Sequence, residues 1–236
     1  MKCLSRIVVA LSCLLGASGG KAQNLVCSSG KGSWHPTLQR IVVLRPRVNM
    51  MKNSRDDVRV GASEQTEAGF QSELARAFED KGYKLSLDPL VTPDWEKTPP
   101  TDAAVKQLKD HFDSLFPKTF FGGPDCKTLS KTSFKNDLEG VAERKEFDAV
   151  VLARARGFIF TKFDEVMDAL GALVGAAGPG GDLYMNVAVV DRGTGTILYY
   201  CESKASGGYV LDPGRLSGPI RKCLKRFSKA ANQGSH

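Results

Sequence analysis

The 236-residue chain is poor in the residues that most enzymes work with: three histidines, two tryptophans and six cysteines. Beyond residue 22 there is no Gly-x-Ser-x-Gly turn to expose a nucleophilic serine, and no Cys-x-x-Cys pair stands anywhere as a zinc knuckle. The glycine tract Gly175–Gly181 follows a predicted helix and has no Lys-Ser or Lys-Thr after it, which a phosphate-binding loop requires. Basic residues are not interleaved with stacking aromatics, which excludes a nucleic-acid-binding stripe. The three histidines are scattered, with His236 at the last position, His35 in a small polar segment and His111 between Asp110 and Asp113 on a predicted helix. Adjacent helical residues do not face one another, so neither acid is positioned to orient that imidazole. These absences leave no catalytic residue, metal ligand or cofactor-binding residue to assign.

Long hydrophobic runs are also scarce, with one exception. Lys2 and Arg6 precede Ile7–Gly16, and small residues follow to Ala22. A positive end, a short apolar core and a small-x-small close are the plan of a secretory signal peptide, and the run is too short to span a bilayer as a helix. Export is therefore expected, to the periplasm or outside the cell, with cleavage near Ala22. Neither Cys13 nor Cys27 follows the Leu-x-small pattern of an acylated cysteine, so no lipid anchor is expected. The expected organisation is a signal at 1–22, a loose segment at 23–39, one domain at 40–230 and a disordered tail at 231–236.

The chain carries 33 basic and 26 acidic residues, and losing Lys2, Arg6 and Lys21 with the signal lowers the net charge from +7 to +4. Cys27, Cys126, Cys201 and Cys223 remain, an even number suited to disulfides outside the cytosol. Four cysteines allow three pairings. Cys201–Cys223 is favoured because a strand end and the helix after it often approach in an α/β layer, and Cys27–Cys126 would then staple the amino-terminal segment to a long loop. Free buried thiols are the alternative.

Periodicity places a strand at Ile41–Leu44 closed by Pro46, a polar loop over 49–62, and a helix over 63–81 with Phe70, Leu74, Ala77 and Phe78 inward. Gly82 ends that helix as a left-handed cap, and a strand over 83–87 follows. A helix over 101–116 buries Ala104, Val105, Leu108, Phe112 and Leu115. A loop over 117–132 holds Cys126, and Ser133 caps a short helix with Phe134, Leu138 and Val141 inward. A long strand covers 147–160 and a helix 163–176, broken by the tract Gly175–Gly181. Strands at 183–190 and 196–201 flank Asp191-Arg192-Gly193-Thr194-Gly195 as a hairpin. A last helix covers 216–230. The class is α/β (α+β): one mixed sheet of about five strands with helices packed on it, ending in a hairpin and a helix.

Two groups of cations invite a functional reading. Arg154 and Arg156 alternate on the long strand and share a face, so they must find carboxylates, reach the strand end or line an anion-binding groove. Arg221, Lys222, Lys225, Arg226 and Lys229 fall on one side of the last helix, with Ile220, Cys223, Leu224 and Phe227 on the other. They form either a solvated face or a surface for an acidic partner or anionic headgroups.

The block Phe147–Val151, then Arg154-x-Arg156-Gly157-Phe158, then Val189-Val190-Asp191-x-Gly193-Thr194-Gly195-x-Ile197-x-Tyr199 is similar to bacterial cell-envelope proteins, often lipoproteins, related to the periplasmic domain of the curli-secretion channel protein and the TolB amino-terminal domain. The resemblance extends over about residues 40–228, with Asp191, Thr194 and Gly195 matching the turn. It implies a non-catalytic component of an envelope assembly or transport system that binds another envelope protein. A small-ligand or anion binder is the alternative, and a hydrolase a distant third.

Overall fold

The computed structural model describes residues 26–28, 38–52, 60–85, 101–116, 123–142, 147–159, 182–206 and 213–230. The expected signal at 1–22, the helix at 163–176, the glycine tract after it and the tail lie outside them.

Seven strands, β1 (Val26–Ser28), β2 (Arg40–Val43), β3 (Arg47–Lys52), β4 (Lys84–Leu85), β5 (Ala149–Ile159), β6 (Asp182–Asp191) and β7 (Ile197–Ser206), form one mixed sheet. Its order is β1-β7-β6-β5-β2-β4, with β3 also paired to β5. The helices are α1 (Val60–Glu79), α2 (Thr101–Ser114), α3 (Cys126–Lys131), α4 (Lys135–Ala142) and α5 (Ser217–Cys223). The expected mixed sheet, with a hairpin followed by a helix, is what forms.

Strand β5 organises the sheet because its two faces feed two cores. Ala149, Val151, Ala153 and Ala155 point to one side, where α1 supplies Phe70, Leu74 and Phe78, and the carboxyl-terminal segment supplies Ile220, Leu224 and Phe227. Val150 and Leu152 point to the other, where α2 supplies Leu108 and Phe112, α4 supplies Leu138, and Phe134 packs from just before α4. Period-2 alternation in the strand and period-3.6 stripes on the helices therefore meet as two helical layers across one sheet.

Three local expectations need correction. The first strand ends before Pro46 as expected, but 49–52 is strand and not loop. Val43 pairs with Val151 and Arg47 with Arg154, so Leu44, Arg45 and Pro46 bulge opposite two residues, and β3 then resumes beside β5. Proline lacks the N–H that a ladder needs, and a bulge is where that lack is tolerated. The amino-terminal segment is not loose at 26–28, because Val26–Ser28 pairs antiparallel with Tyr199–Cys201. Cys126 opens a helix instead of lying in a loop, with Asp125 capping Thr128 N at 2.7 Å.

Glycine is required at two turns. Gly82 has φ +86° and closes α1, its N–H donating to the Glu79 carbonyl at 2.8 Å. Gly195 has φ +68°, and its carbonyl accepts from Phe134 N at 2.8 Å. A Cβ at Gly195 would collide with the Lys135 backbone, so the β6–β7 turn seats α4 only when that residue is glycine.

Candidate functional site

Of the two strand arginines, Arg154 is packed against α2. Arg154 is only 8% exposed, and its guanidinium lies 4.3 Å from the Phe116 ring centre. One of its nitrogens donates to the Asp113 carbonyl at 3.3 Å and stands 3.5 Å from the Asp113 carboxylate. Arg47, paired with Arg154 in the β3–β5 register, reaches Asp113 and Asp110 at 2.7 Å each. Both acids sit at the carboxyl end of α2, where cations are also favoured by the helix dipole. Burial lowers the pKa of Arg154, partly opposed by Asp113. For Arg47 burial acts downward too, but its bonds to Asp113 and Asp110 outweigh it and the net shift is upward. Arg154 is thus neutralised by α2 and locks that helix to the sheet. Arg156 is half-buried one pleat further on, in register with Asn49 and Tyr184.

A neighbouring network on β6 and β7 was not legible in the sequence. Asn186 donates to the Tyr200 hydroxyl at 2.9 Å, and that hydroxyl donates to the Glu202 carboxylate at 2.6 Å. Burial, then the adjacent Glu202 charge, raises the Tyr200 pKa. A Cβ at Gly123 would overlap the Glu202 carboxylate and the Tyr200 hydroxyl, so the chain entering α3 closes over this network. Register and a long-range approach built it, and neither leaves a local motif.

His111 also has a partner that spacing did not reveal. Its Nδ1 lies 2.6 Å from the Asp137 carboxylate of α4, and its ring centre lies 4.6 Å from that of Phe134. No serine hydroxyl or cysteine thiol bonds this imidazole among the described residues. The pair ties α2 to α4 and has the form of two-thirds of a triad, without the nucleophile.

The carboxyl-terminal cations are arranged differently from expectation. Helix α5 ends at Cys223, a 3-10 turn covers Leu224–Arg226, and the chain is extended at Phe227. One continuous helical face over 216–230 therefore does not exist. Tertiary packing overrides helix continuation: the Phe227 ring lies 5.4 Å from Phe78, 5.4 Å from Tyr83 and 5.3 Å from Tyr199, and Ala230 N donates to the Lys81 carbonyl at 2.9 Å. Ile220, Cys223, Leu224 and Phe227 are buried as expected. Arg221 pairs with Asp80 at 2.9 Å. Lys222, Lys225, Arg226 and Lys229 are exposed and form no ion pair among the described residues.

Two disulfides brace the elements. Cys201–Cys223 joins β7 to the end of α5, and Cys27–Cys126 joins β1 to the start of α3. At the hairpin end of the sheet, a groove of about 480 Å³ lies between Leu38, Leu138 and Phe147 on its floor and Lys135, Glu139, Asp191 and Arg192 at its rim. Its charges are mixed in sign. Asp148, also in the lining, holds Gln39 N and Arg40 N at 2.8 Å each, and Asp191 holds the turn through Thr194 N at 2.7 Å. Both carboxylates thus have structural work to do.

No family model matches the chain, and no curated protein matches it. Among solved structures, a PelC dodecamer from Paraburkholderia phytofirmans overlays 88% of this chain and 99% of its own, at 10% identity and a TM-score of 0.38. Lipoprotein GNA1162 from Neisseria meningitidis overlays 80% of this chain and 99% of its own, at 11% identity and a TM-score of 0.35.

Proposed function

We propose that this is a non-catalytic, exported cell-envelope protein that works by docking, and that its carboxyl-terminal segment is the contact surface. The observation that carries this reading is the charge of Pro213–Ala230: six basic residues, Arg215, Arg221, Lys222, Lys225, Arg226 and Lys229, and no acid. Such a surface attracts an anionic envelope component. Processing near Ala22 and the two disulfides fit an oxidising compartment, and the hairpin motif supports the envelope. The anion-binding alternative loses its basis at Arg154, because Asp113 and Phe116 already occupy that guanidinium. A hydrolase would need a nucleophile beside His111, where Asp137 and Phe134 stand instead.

The test is retention on washed envelope fragments. The wild-type protein is expected to sediment with them, and the Lys222→Gln/Lys225→Gln/Arg226→Gln/Lys229→Gln variant to stay in the supernatant. Equal retention of the two would refute the assignment of the surface.

A further inference from the structure

Resting on that docking reading, we infer that the anionic component is the bilayer itself: exposed Lys222, Lys225, Arg226 and Lys229 adsorb on anionic phospholipid headgroups without inserting. The apolar residues of the segment supply no wedge. Leu216, Ile220, Cys223, Leu224 and Phe227 are each no more than 2% exposed, so the surface presents charge alone. An amphipathic anchor needs its apolar side free to enter the acyl region, and here that side is the protein core.

The cations are also presented on a fixed support. The Cys201–Cys223 bond fastens α5 to β7, and the Tyr199 hydroxyl donates to the Cys223 carbonyl at 2.5 Å. Lys81 donates to the Phe227 carbonyl at 2.6 Å, and Ala230 N to the Lys81 carbonyl at 2.9 Å. Lys81, close to Lys229, adds to the positive area. Among the described residues Asp80, just beyond α1, is the acid that pairs with this segment, through Arg221.

Spacing favours lipid over protein as the counterpart. The four cations are divided among α5, a 3-10 turn and an extended stretch and so lie on no single helix or strand, and none of them lines the groove at the hairpin end. A protein surface would have to match that irregular set with carboxylates at fixed positions. Headgroups diffuse laterally and assemble under whatever charges are presented. Each such cation strengthens adsorption about five-fold near an anionic surface at moderate salt, and the attraction fades as the screening length falls from about 8 Å at physiological salt to about 3 Å at 1 M.

The oxidised protein, purified after export, is to be sedimented with vesicles of phosphatidylcholine alone and of phosphatidylcholine containing phosphatidylglycerol. Wild type is expected to bind only the anionic vesicles, to be released by 1 M salt (a screening length of about 3 Å), and to lose about 100-fold or more of its partitioning in the four-site glutamine variant. Lys127→Gln/Lys131→Gln/Lys135→Gln, on α3 and α4, removes exposed cations elsewhere and is expected to leave binding within about five-fold of wild type. Binding to neutral vesicles, no binding to anionic ones, or an equal loss in the α3–α4 variant would each overturn the proposal. Retention on envelope fragments without binding to pure lipid would overturn it while leaving the docking reading in place, and failure on both would remove both.

Discussion

Replacing Arg154 removes a guanidinium that is sandwiched between a ring and a carboxylate, and the structure predicts the cost. Arg154→Met loses the Phe116 contact and the bond to the Asp113 carbonyl, and is expected to destabilise the fold by about 2 kcal/mol in denaturant titration. Arg154→Lys should recover little of it, since an ammonium neither stacks nor forks. Full recovery by lysine would show that charge alone matters there. The Tyr199 pKa is pushed up to about 12 by burial, only partly opposed by Arg226. The folded state therefore keeps a proton that the unfolded state gives up near pH ~10, so stability falls as pH rises above that ordinary value. A near-ultraviolet titration is expected to show the Tyr199 and Tyr200 phenols ionising only as the chain unfolds. Phenolate formation by all five tyrosines in a folded protein would contradict this. Gly195→Ala forces a Cβ into the Lys135 backbone at a positive φ, and a loss of about 2 kcal/mol or more is expected by thermal or denaturant unfolding.

At the scale of elements, the two disulfides differ in access. Cys201 and Cys223 are 0% and 1% exposed, whereas Cys126 is exposed at the start of α3. Mild reduction followed by alkylation and mass spectrometry is expected to label Cys27 and Cys126 first, with Cys201–Cys223 yielding only on unfolding. Labelling of both pairs at one rate would mean that the domain opens as a unit. The sequence foretold these elements unevenly, for physical reasons. Helices α1, α2 and α4 bury one face each, and Phe70, Leu74, Val105, Leu108, Phe134 and Leu138 show it at helical spacing. The left-handed Gly82 is equally local. The return of the chain to the sheet after Pro46 is not, because only the register with β5 reveals the second strand, β3, beyond the proline. The last helix fails for a similar reason: its apolar spacing is helical, yet Phe227 is drawn toward Phe78, Tyr83 and Tyr199 by packing that no local window contains.

For the whole molecule, one sheet separates two cores, and function is argued from what those cores leave outside. Three sheet-edge and strand arginines are paired: Arg154 and Arg47 by the end of α2, and Arg45 by Glu67 on α1. The composition announced an excess of positive charge but could not say where it stays unpaired, because ion pairing across α2, β3 and β5 is a property of the assembled sheet. Among the described residues the carboxyl-terminal surface gathers four exposed cations that form no ion pair, Lys222, Lys225, Arg226 and Lys229. Removing these charges should leave the fold intact, since none is buried or bonded. The four-site glutamine variant is expected to unfold within about 0.5 kcal/mol of wild type, as surface substitutions do. The most direct test of the account is therefore a comparison of wild type and this equally stable variant on washed envelope fragments across a salt series. The account predicts that wild type is retained at low salt and released as salt rises, while the variant is not retained at any salt. Retention of both proteins to the same extent, indifferent to salt, would contradict it.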